Sequence, residues 1–266
     1  MADMGRFGRA LRPWVFPVLL LVWLQWRIGQ LVESSDALAT PLQAARAWWE
    51  LFWLGSDEGL WRVTAFTLGT AALGLLLGAG LGLLFGLLLG LSPRAARISF
   101  LSVEVLRPIP SVALIPLAML VFGFGMRLEL SVVAFATFWP MLILTQAAAR
   151  QVEPRLLEVS AALGLSAWQR THSIVLPAMV PRLFVAFRLG VAVALVVAVT
   201  VEIAANPHGM GYAMMIAQQS LDPARMLAWL MWIGVVGFVI NALTLRAQQW
   251  VHVRMGGQAT DRGDPA

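Results

Sequence analysis

The chain has 266 residues, of which 59% are hydrophobic and 12% charged, and its mean hydropathy is +0.78. This is the composition of a membrane protein. All 19 basic side chains are arginines and cysteine is absent, which excludes a Walker A or Schiff-base lysine, thiolate catalysis, disulfides and cysteine-ligated metals. The three histidines lie far apart in the sequence, so neither a metal site nor a catalytic site is expected. The arginines are scattered at the ends of apolar segments, which favours a role in membrane topology over nucleic-acid binding.

Residues 1–60 predict a first span followed by an outside loop. The stretch 13–29 is apolar and follows a basic start without a small-x-small cleavage site, so we interpret it as a retained span rather than a signal peptide. Residues 27–62 contain three arginines and five acidic residues, which is typical of an outside loop. Within that loop, Pro41 to Leu54 predicts an amphipathic helix that either lies in the outer interface or packs on the protein.

The second predicted span, Val63 to Leu91, carries no charge and has glycines at every fourth position. This spacing puts the glycines on one helix face, where another helix can approach closely. We expect that face to form a subunit or bundle interface. The glycines are Gly74, Gly78, Gly82, Gly86 and Gly90.

The third predicted span, Ile98 to Phe124, is interrupted by prolines and ionisable residues. Prolines at membrane depth indicate a broken helix that lines protein or water, and ionisable groups in a span are candidates for function. Glu104, Arg107 and Pro110 are therefore candidates for the translocation pathway. The alternative is that Glu104 and Arg107, three residues apart, simply pair on one helix face.

Three more predicted spans complete a six-span topology with both termini inside, in agreement with the positions of the arginines. The last of them opens with two tryptophans, Trp229 and Trp232, as expected interface anchors. We divide the chain into residues 1–60, a five-span core at 61–250 with a loop at 150–182, and a cytoplasmic tail at 251–266. The three spans are Leu130 to Ala149, which follows a tight turn at 125–129, Leu183 to Ala205, and Met226 to Leu245.

The loop at 150–182 is too polar to cross a bilayer, yet its pattern is helical. Glu158 to Leu163 predicts a short helix that ends at a left-handed turn supplied by Gly164. Ser166 is expected to cap a second helix from Ala167 to about Val175, which Pro177 stops. A helix–glycine–helix elbow beside a membrane is suited to docking into another protein.

The spacing of the loop resembles the EAA loop of ABC-importer permeases. That pattern is Glu-Ala-Ala, three residues, Gly, nine residues and Ile-x-Leu-Pro, and this chain matches every fixed position except the two alanines, which are valine and serine here. The resemblance implies a coupling helix that fits a cleft on a separate ATPase; the alternative is an ordinary connection between two spans. The implied coupling residues are Glu158, Ala161, Ala162, Gly164, Leu165, Ser166, Ala167, Trp168, Ile174, Leu176 and Pro177. Glu158 is expected to hold the elbow by a salt bridge or a helix-start contact, and Ile174 and Leu176 to seat the second helix.

Other segments look like the permeases for nitrate, sulfonate and taurine, a subfamily that also includes carriers of thiamine-pyrimidine precursors, riboflavin and aromatic carboxylates. These segments are Leu106-Arg-Pro-Ile-Pro-Ser111, Leu114-Ile-Pro-Leu117 and Phe122-Gly-Phe-Gly125. Together with the EAA loop, the likeness extends from about residue 60 to about residue 250.

Glu202, followed by Gly209-Met-Gly211-Tyr212, resembles an acidic residue before Gly-x-Gly-Tyr in the same subfamily. The glycines permit a tight re-entry, and Tyr212 to Leu221 predicts a short helix. Met210, Met214 and Met215 are expected to make this region an adaptable apolar surface. Glu202 is a further candidate for the pathway. Gly209, Gly211 and Tyr212 are expected to gate the pathway or to contact a binding protein; the alternative is a plain amphipathic outside loop.

These resemblances imply an all-α polytopic protein with the fold of a type I ABC importer permease, in the inner membrane of a prokaryote. They imply no cofactor on this chain, because ATP is bound by a partner subunit. The expected partners are a second permease copy in a homodimer, two ATP-binding subunits, a soluble or lipid-anchored binding protein and membrane lipids, without nucleic acid. The expected solute is a small anion of the nitrate, sulfonate or taurine type, or a compound like a vitamin precursor.

Two other classes of protein are weighed against this interpretation. An ion-gradient-driven secondary transporter would use Glu104 and Glu202 as proton or cation carriers, but the sequence has no clear inverted repeat. A membrane-embedded enzyme would need a catalytic constellation, and the sequence offers none.

Overall fold

The computed structural model describes residues 38–53 and 59–254, together with parts of 19–30. The described parts of 19–30 are helical, while the rest of the predicted first span and most of the predicted tail lie outside the described residues. Every regular element in the described residues is a helix. The helices are α1 (Pro41–Trp53), α2 (Leu60–Leu91), α3 (Pro93–Leu106), a 3₁₀ turn (Ser111–Leu114), α4 (Ile115–Phe122), α5 (Met126–Arg150), α6 (Pro154–Ala162), α7 (Ala167–Arg170), a π turn (Thr171–Val175), α8 (Leu176–Ala205), α9 (Met210–Gln219) and α10 (Pro223–Arg254).

Four helices in the described residues are long and apolar enough to cross a membrane. A fifth candidate is the pair formed by α3 and the segment Ser111–Phe122, which are bent by 81° relative to each other. The predicted break in the third span is thereby confirmed, and it lies at the prolines that interrupt the helical hydrogen bonds. The four continuous candidates are Leu60–Leu91, Met126–Arg150, Ala167–Ala205 and Pro223–Val251.

The glycine face of α2 packs inside the bundle, against α5. A Cβ added at Gly74 would lie 2.6 Å from Val133 Cγ1, and one at Gly78 would overlap the Ala134 carbonyl. The glycines therefore allow the two backbones to approach more closely than any other residue would permit. The sequence predicted either a subunit interface or a bundle interface on this face. In the described residues the face packs within the bundle.

The core lies where α2, α5 and α8 meet. Leu128, Val133, Ala186, Ala198 and Val201 are fully buried there. Because α8 contacts both of the other helices, a movement of α8 would have to be accommodated by the packing of the whole bundle.

The two tryptophans at the start of α10 are buried, so the expectation of exposed interface anchors is wrong. Trp229 and Trp232 are 4% and 7% exposed. The Trp48 and Trp61 rings cover Trp232, with centroids 5.9 and 5.6 Å away. The Trp232 indole N–H donates to Thr64 Oγ1 at 2.7 Å, so burial leaves it with a hydrogen-bond partner.

Helix α1 combines the two alternatives that its sequence left open. Ala44, Ala47 and Leu51 are buried, and the last two pack with the aromatic cluster of α10. Trp49 and Trp53, on the opposite face, are 57% and 67% exposed. One face thus packs on the protein, while the other presents the amphipathic aromatic rings that favour a membrane interface.

The polar loop leads into the bundle as one continuous helix from Ala167 to Ala205, 39 residues long. The predicted stop at Pro177 and the predicted start of a separate span at Leu183 are therefore wrong. Pro177 directly follows the π turn at Thr171–Val175. We attribute the continuation to this wider turn, which accommodates the proline ring and does not require the N–H that proline lacks.

Candidate functional site

The first half of the polar loop is α6 followed by a glycine turn. We call residues 154–170 the elbow. Gly164 has φ +64°, and its N–H donates to Ala161 O at 3.0 Å while the Leu165 N–H donates to Ser160 O at 3.1 Å. This pair of bonds is the Schellman ending of a helix, which requires the left-handed conformation. The prediction that Gly164 supplies a left-handed turn is confirmed, although the helix begins at Pro154 rather than at Glu158.

The second half of the elbow starts with a reciprocal cap. Ser166 Oγ accepts from the Gln169 N–H at 3.3 Å, and the Ser166 N–H donates to Gln169 Oε1 at 2.9 Å. This capping box confirms the predicted helix start at Ala167. Both turns of the elbow are thus closed by bonds between residues no more than five positions apart, so its shape needs little support from the bundle.

The elbow presents apolar side chains to solvent. Trp168, Leu163 and Val159 are 76%, 67% and 52% exposed. Ser160, one of the two departures from the EAA pattern, is buried, and its hydroxyl donates to Leu157 O at 2.6 Å. The valine departure therefore lies on the exposed face and the serine departure on the buried face.

The bundle holds the elbow through residues that the sequence did not single out. Val175 and Met179 are fully buried and pack against Ala148, Ala149 and Val152. Ile174 and Leu176, expected to seat this helix, are only half-buried. Pro177 is exposed.

Glu158 is exposed and makes no hydrogen bond or ion pair with any residue in the described part of the chain. The expected salt bridge or helix-start contact is absent there, because Glu158 lies in the middle of α6 on its solvent face. The Glu158 carboxylate is therefore accessible on the elbow surface, beside the exposed Val159.

At the far end of α8 the chain turns back through Gly209 and Gly211. Glu202 is 1% exposed, and its Oε2 accepts from the Gly211 N–H at 2.9 Å. Gly209 has φ +95°, and a Cβ there would overlap the Glu202 carboxylate. The predicted tight re-entry is confirmed, and the acidic residue and the two glycines form one packed junction.

The helix after this junction is α9, which runs from Met210 rather than from Tyr212. Met210 is fully buried, so it is part of the core and not of the predicted adaptable surface. Its N–H donates to Thr67 Oγ1 at 2.9 Å. Tyr212 is half-buried.

Glu129 is a buried acidic residue that sequence reasoning placed in a turn. It lies in the first turn of α5 with 0% exposure. One carboxylate oxygen accepts from the Thr70 hydroxyl and the other from the Asn206 side-chain amide. The signal that pointed to it was an acidic residue within four positions of the Gly-x-Gly that precedes α5, but its partners lie on α2 and in the turn after α8, far away in the chain.

A cavity of about 490 Å³ opens beside the junction. Its walls come from α1, the start of α2, α9 and the start of α10. Phe66 and His208 stack across one side, with ring centroids 5.2 Å apart. Residues that line the cavity include Glu50, Arg62, Phe66, His208, Tyr212 and Trp229.

The predicted pathway residues fall into two separate places. Glu104 and Arg107 form an ion pair with 3.6 Å between Oε1 and Nη1, and both side chains are 47% exposed. Pro110 is exposed nearby at the break in the third span. Glu202 is buried at the junction, so the structure does not bring it together with the other three. The described residues contain no group of three acidic or histidine side chains placed to hold a metal ion.

These features define a polytopic helical membrane protein with an exposed elbow at one end of its bundle and a tight glycine junction at the other. Residues 78–257 match the family described as "Binding-protein-dependent transport system inner membrane component". The chain belongs to this family and is the permease subunit of an ABC importer. Membership decides against the secondary-transporter alternative.

Curated relatives match most of the chain. It is 32% identical over 234 residues to the putative aliphatic sulfonates transport permease protein SsuC of Bacillus subtilis, covering 86% of this chain and 84% of that protein. It is 26% identical to the nitrate import permease protein NrtB of Leptolyngbya laminosa, covering 86% and 82%. It is 32% identical to the riboflavin transport system permease protein RibX of Chloroflexus aurantiacus, covering 85% and 84%.

A solved structure shares the fold. A chain of the MetNI methionine ABC transporter, in inward facing conformations, matches with a TM-score of 0.65 at 19% identity, covering 74% of this chain and 99% of that chain. The predicted type I importer permease fold is confirmed by this likeness.

Proposed function

We propose that this permease moves a small solute inward and that the elbow couples transport to ATP hydrolysis on a separate subunit. The observation that carries the proposal is the rigid link between the elbow and the bundle. The helix that begins in the elbow continues without a break to Ala205, which amounts to about 58 Å of helix at 1.5 Å per residue. A push on Trp168 would be transmitted as a rigid-body movement to the junction at Glu202.

The surface of the elbow supports docking into an ATPase cleft. Exposed large apolar side chains on a self-contained polar loop are typical of an interaction site. Trp168 and Leu163 supply such area, and the exposed Glu158 on the same elbow is accessible for a charged partner. Because the departures from the EAA pattern put valine on the exposed face, the groove on the partner is expected to be shaped for this larger residue.

The orientation follows from charge. The elbow and its neighbouring turns carry many more arginines than acidic residues, which favours placing the elbow in the cytoplasm. Both termini then lie inside, if the first predicted span crosses the membrane. The arginines at the elbow end include Arg94, Arg97, Arg150, Arg155, Arg170 and Arg182.

The opposite end then faces outward, and its cavity is the proposed contact for a substrate-binding protein. The cavity is bounded by Gly209 and Tyr212 and holds groups of both charges and several aromatic rings. Such a mixed wall can receive a polar loop with an apolar tip. The binding protein and the ATPase would then act on the two ends of one continuous helix, and their coupling must be reciprocal.

A second copy of the chain is the proposed partner for α3 and α4. Ile98, Leu101 and Leu120 are 83%, 71% and 86% exposed on these helices. The ion pair between Glu104 and Arg107 lies on the same α3, and an ion pair is costly in hydrocarbon. We infer that this part of the chain faces protein or the aqueous pathway, with Pro110 marking the break.

The solute is proposed to be a small anion such as nitrate or an aliphatic sulfonate, as the names of two relatives indicate. A vitamin-like compound is the second candidate, because the riboflavin relative has the same sequence identity to this chain, 32%, as the sulfonate relative. Arg107 would complement an anion only if its pairing with Glu104 is exchanged during transport.

Co-purification of the tagged chain from its native membrane tests the proposal. We expect an ATPase and a binding protein to be recovered and identified by mass spectrometry. The recovered binding protein is then screened by calorimetry against nitrate, alkanesulfonates and riboflavin. If neither partner is recovered, and the chain moves solute in ATP-free vesicles under an ion gradient, the proposed coupling is wrong.

A further inference from the structure

Residues 206–211, which are the turn after α8 and the first two residues of α9, are held to the bundle by polar contacts with three different helices. Asn206 donates to Glu129 on α5, the Met210 N–H donates to Thr67 on α2, and the Gly211 N–H donates to Glu202 on α8. Every one of these residues is buried. Hydrogen bonds are more directional than apolar contacts, so the segment is restricted to one position while these bonds are made.

Glu129 is the centre of this arrangement. Its two oxygens accept from Thr70 and from Asn206, so it joins α2 and the segment through α5. It is fully buried and lies on none of the surfaces assigned to a partner. A buried carboxylate with two directed partners is costly to retain unless it determines which packing is formed.

The hydrogen bonding around this segment is incomplete. Asn206 Oδ1 and Glu202 Oε1 are buried without a hydrogen-bond partner among the described residues. A buried polar network with unused acceptors is weaker than a complete one. The segment is therefore held by few bonds that can be exchanged, in contrast to the continuous apolar packing of α2, α5 and α8.

We propose that Glu129 is a positioning residue for transport: through Asn206 it latches the 206–211 segment onto the bundle, and release of this latch opens that end of the molecule. The proposal rests on the proposed function only in taking that end as the outer mouth. The latch lies at the start of α5 and the end of α8, so rigid-body movement of α8 would strain the Glu129–Asn206 contact directly.

The test uses single cysteines, because the chain has none. Met210→Cys reports on the latch, and Met179→Cys is the matched control, since both methionines have 0% exposure and Met179 packs at the elbow end. The full-length chain in nanodiscs, open on both faces, is treated with N-ethylmaleimide. Glu129→Met removes both acceptor oxygens and leaves Asn206 without this partner, so we expect labelling of Met210→Cys to become at least about fivefold faster, as for loss of one buried hydrogen bond.

A swapped pair keeps the bond. In Glu129→Gln with Asn206→Asp, the glutamine amide donates to the aspartate while its oxygen still accepts from Thr70, so labelling of Met210→Cys is expected to stay slow. Equal labelling before and after Glu129→Met, or fast labelling in the swapped pair, would overturn the proposal. Faster labelling of Met179→Cys as well would assign Glu129 to general folding and overturn it too. None of these results depends on an ATPase, so they are separate from the test of coupling.

Discussion

Two glycines with left-handed backbones, Gly164 and Gly209, each join two helices, but their surroundings are opposite. A Cβ at Gly164 would meet nothing within 4 Å, whereas one at Gly209 would overlap the Glu202 carboxylate. Gly164 is exposed and closed by bonds within its own loop, while Gly209 is buried against the Glu202 side chain at the end of α8. The first glycine is required by backbone conformation alone, and the second by conformation and by tertiary packing.

The difference separates two kinds of functional region. The elbow is a preformed surface that a partner can move as a unit, because its geometry depends on local bonds. The junction is part of the bundle, so its geometry changes when the helices move. A transporter needs both, since a rigid element must transmit force to a region that can rearrange.

Gly209→Ala tests this difference with the largest expected effect. The positive φ costs about 1–2 kcal/mol for a residue with a Cβ, and overlap with a buried side chain adds about 1–3 kcal/mol. We expect the unfolding midpoint in detergent to fall well below that of Gly164→Ala, which has only the first cost. The comparison fails if both variants unfold at the same temperature.

Gly78→Ala extends the test to the bundle, with Gly80→Ala as its control. A Cβ at Gly78 would overlap the Ala134 carbonyl, while one at Gly80 meets nothing within 4 Å. We expect Gly78→Ala to lower the free energy of unfolding by about 1–3 kcal/mol and Gly80→Ala to raise it by up to about 1 kcal/mol. Similar thermal shifts for the two would argue against the close packing of α2 on α5.

Gly164→Asp is expected to affect stability little and coupling strongly. Aspartate tolerates the left-handed conformation better than most residues, so the cost is about 1 kcal/mol. Its charge lies on the proposed docking surface, so the binding protein should no longer stimulate the ATPase of the reconstituted complex, while insertion continues. Glu158→Lys should act in the same way. Normal stimulation in both variants would contradict the coupling role.

Glu104→Gln and Glu202→Gln have the smallest expected effects on stability. Glu104 takes part in a half-exposed ion pair, worth about 0.2–1 kcal/mol, and a glutamine at 202 can still accept from the Gly211 N–H. We expect reduced transport in proteoliposomes with unchanged assembly by size-exclusion chromatography. Unchanged transport kinetics in both variants would remove these residues from the pathway.

Much of the fold was predictable because its signals are local. The glycine period of α2, the break at the third span, the left-handed Gly164 and the cap at Ser166 each follow from backbone or side-chain chemistry within a few residues. The continuation of the helix through Pro177 was not predictable in this way. A proline usually ends a helix, and only the π turn before it removes the conflict.

The candidate site shows the same difference between features set by local sequence and features set by tertiary contacts. The sequence by itself determined that a helical membrane protein carries an elbow with the EAA spacing, because hydrophobicity, capping and turn conformation are properties of short stretches. Only the tertiary structure decided that Glu129 meets Thr70 and Asn206, that Trp232 is buried against Thr64, and that Gly209 packs on Glu202. The contacts of Glu129 and Trp232 join residues far apart in the chain, whereas Gly209 packs on the helix end that directly precedes its turn. In each case the partner is chosen by the surfaces that the fold brings together.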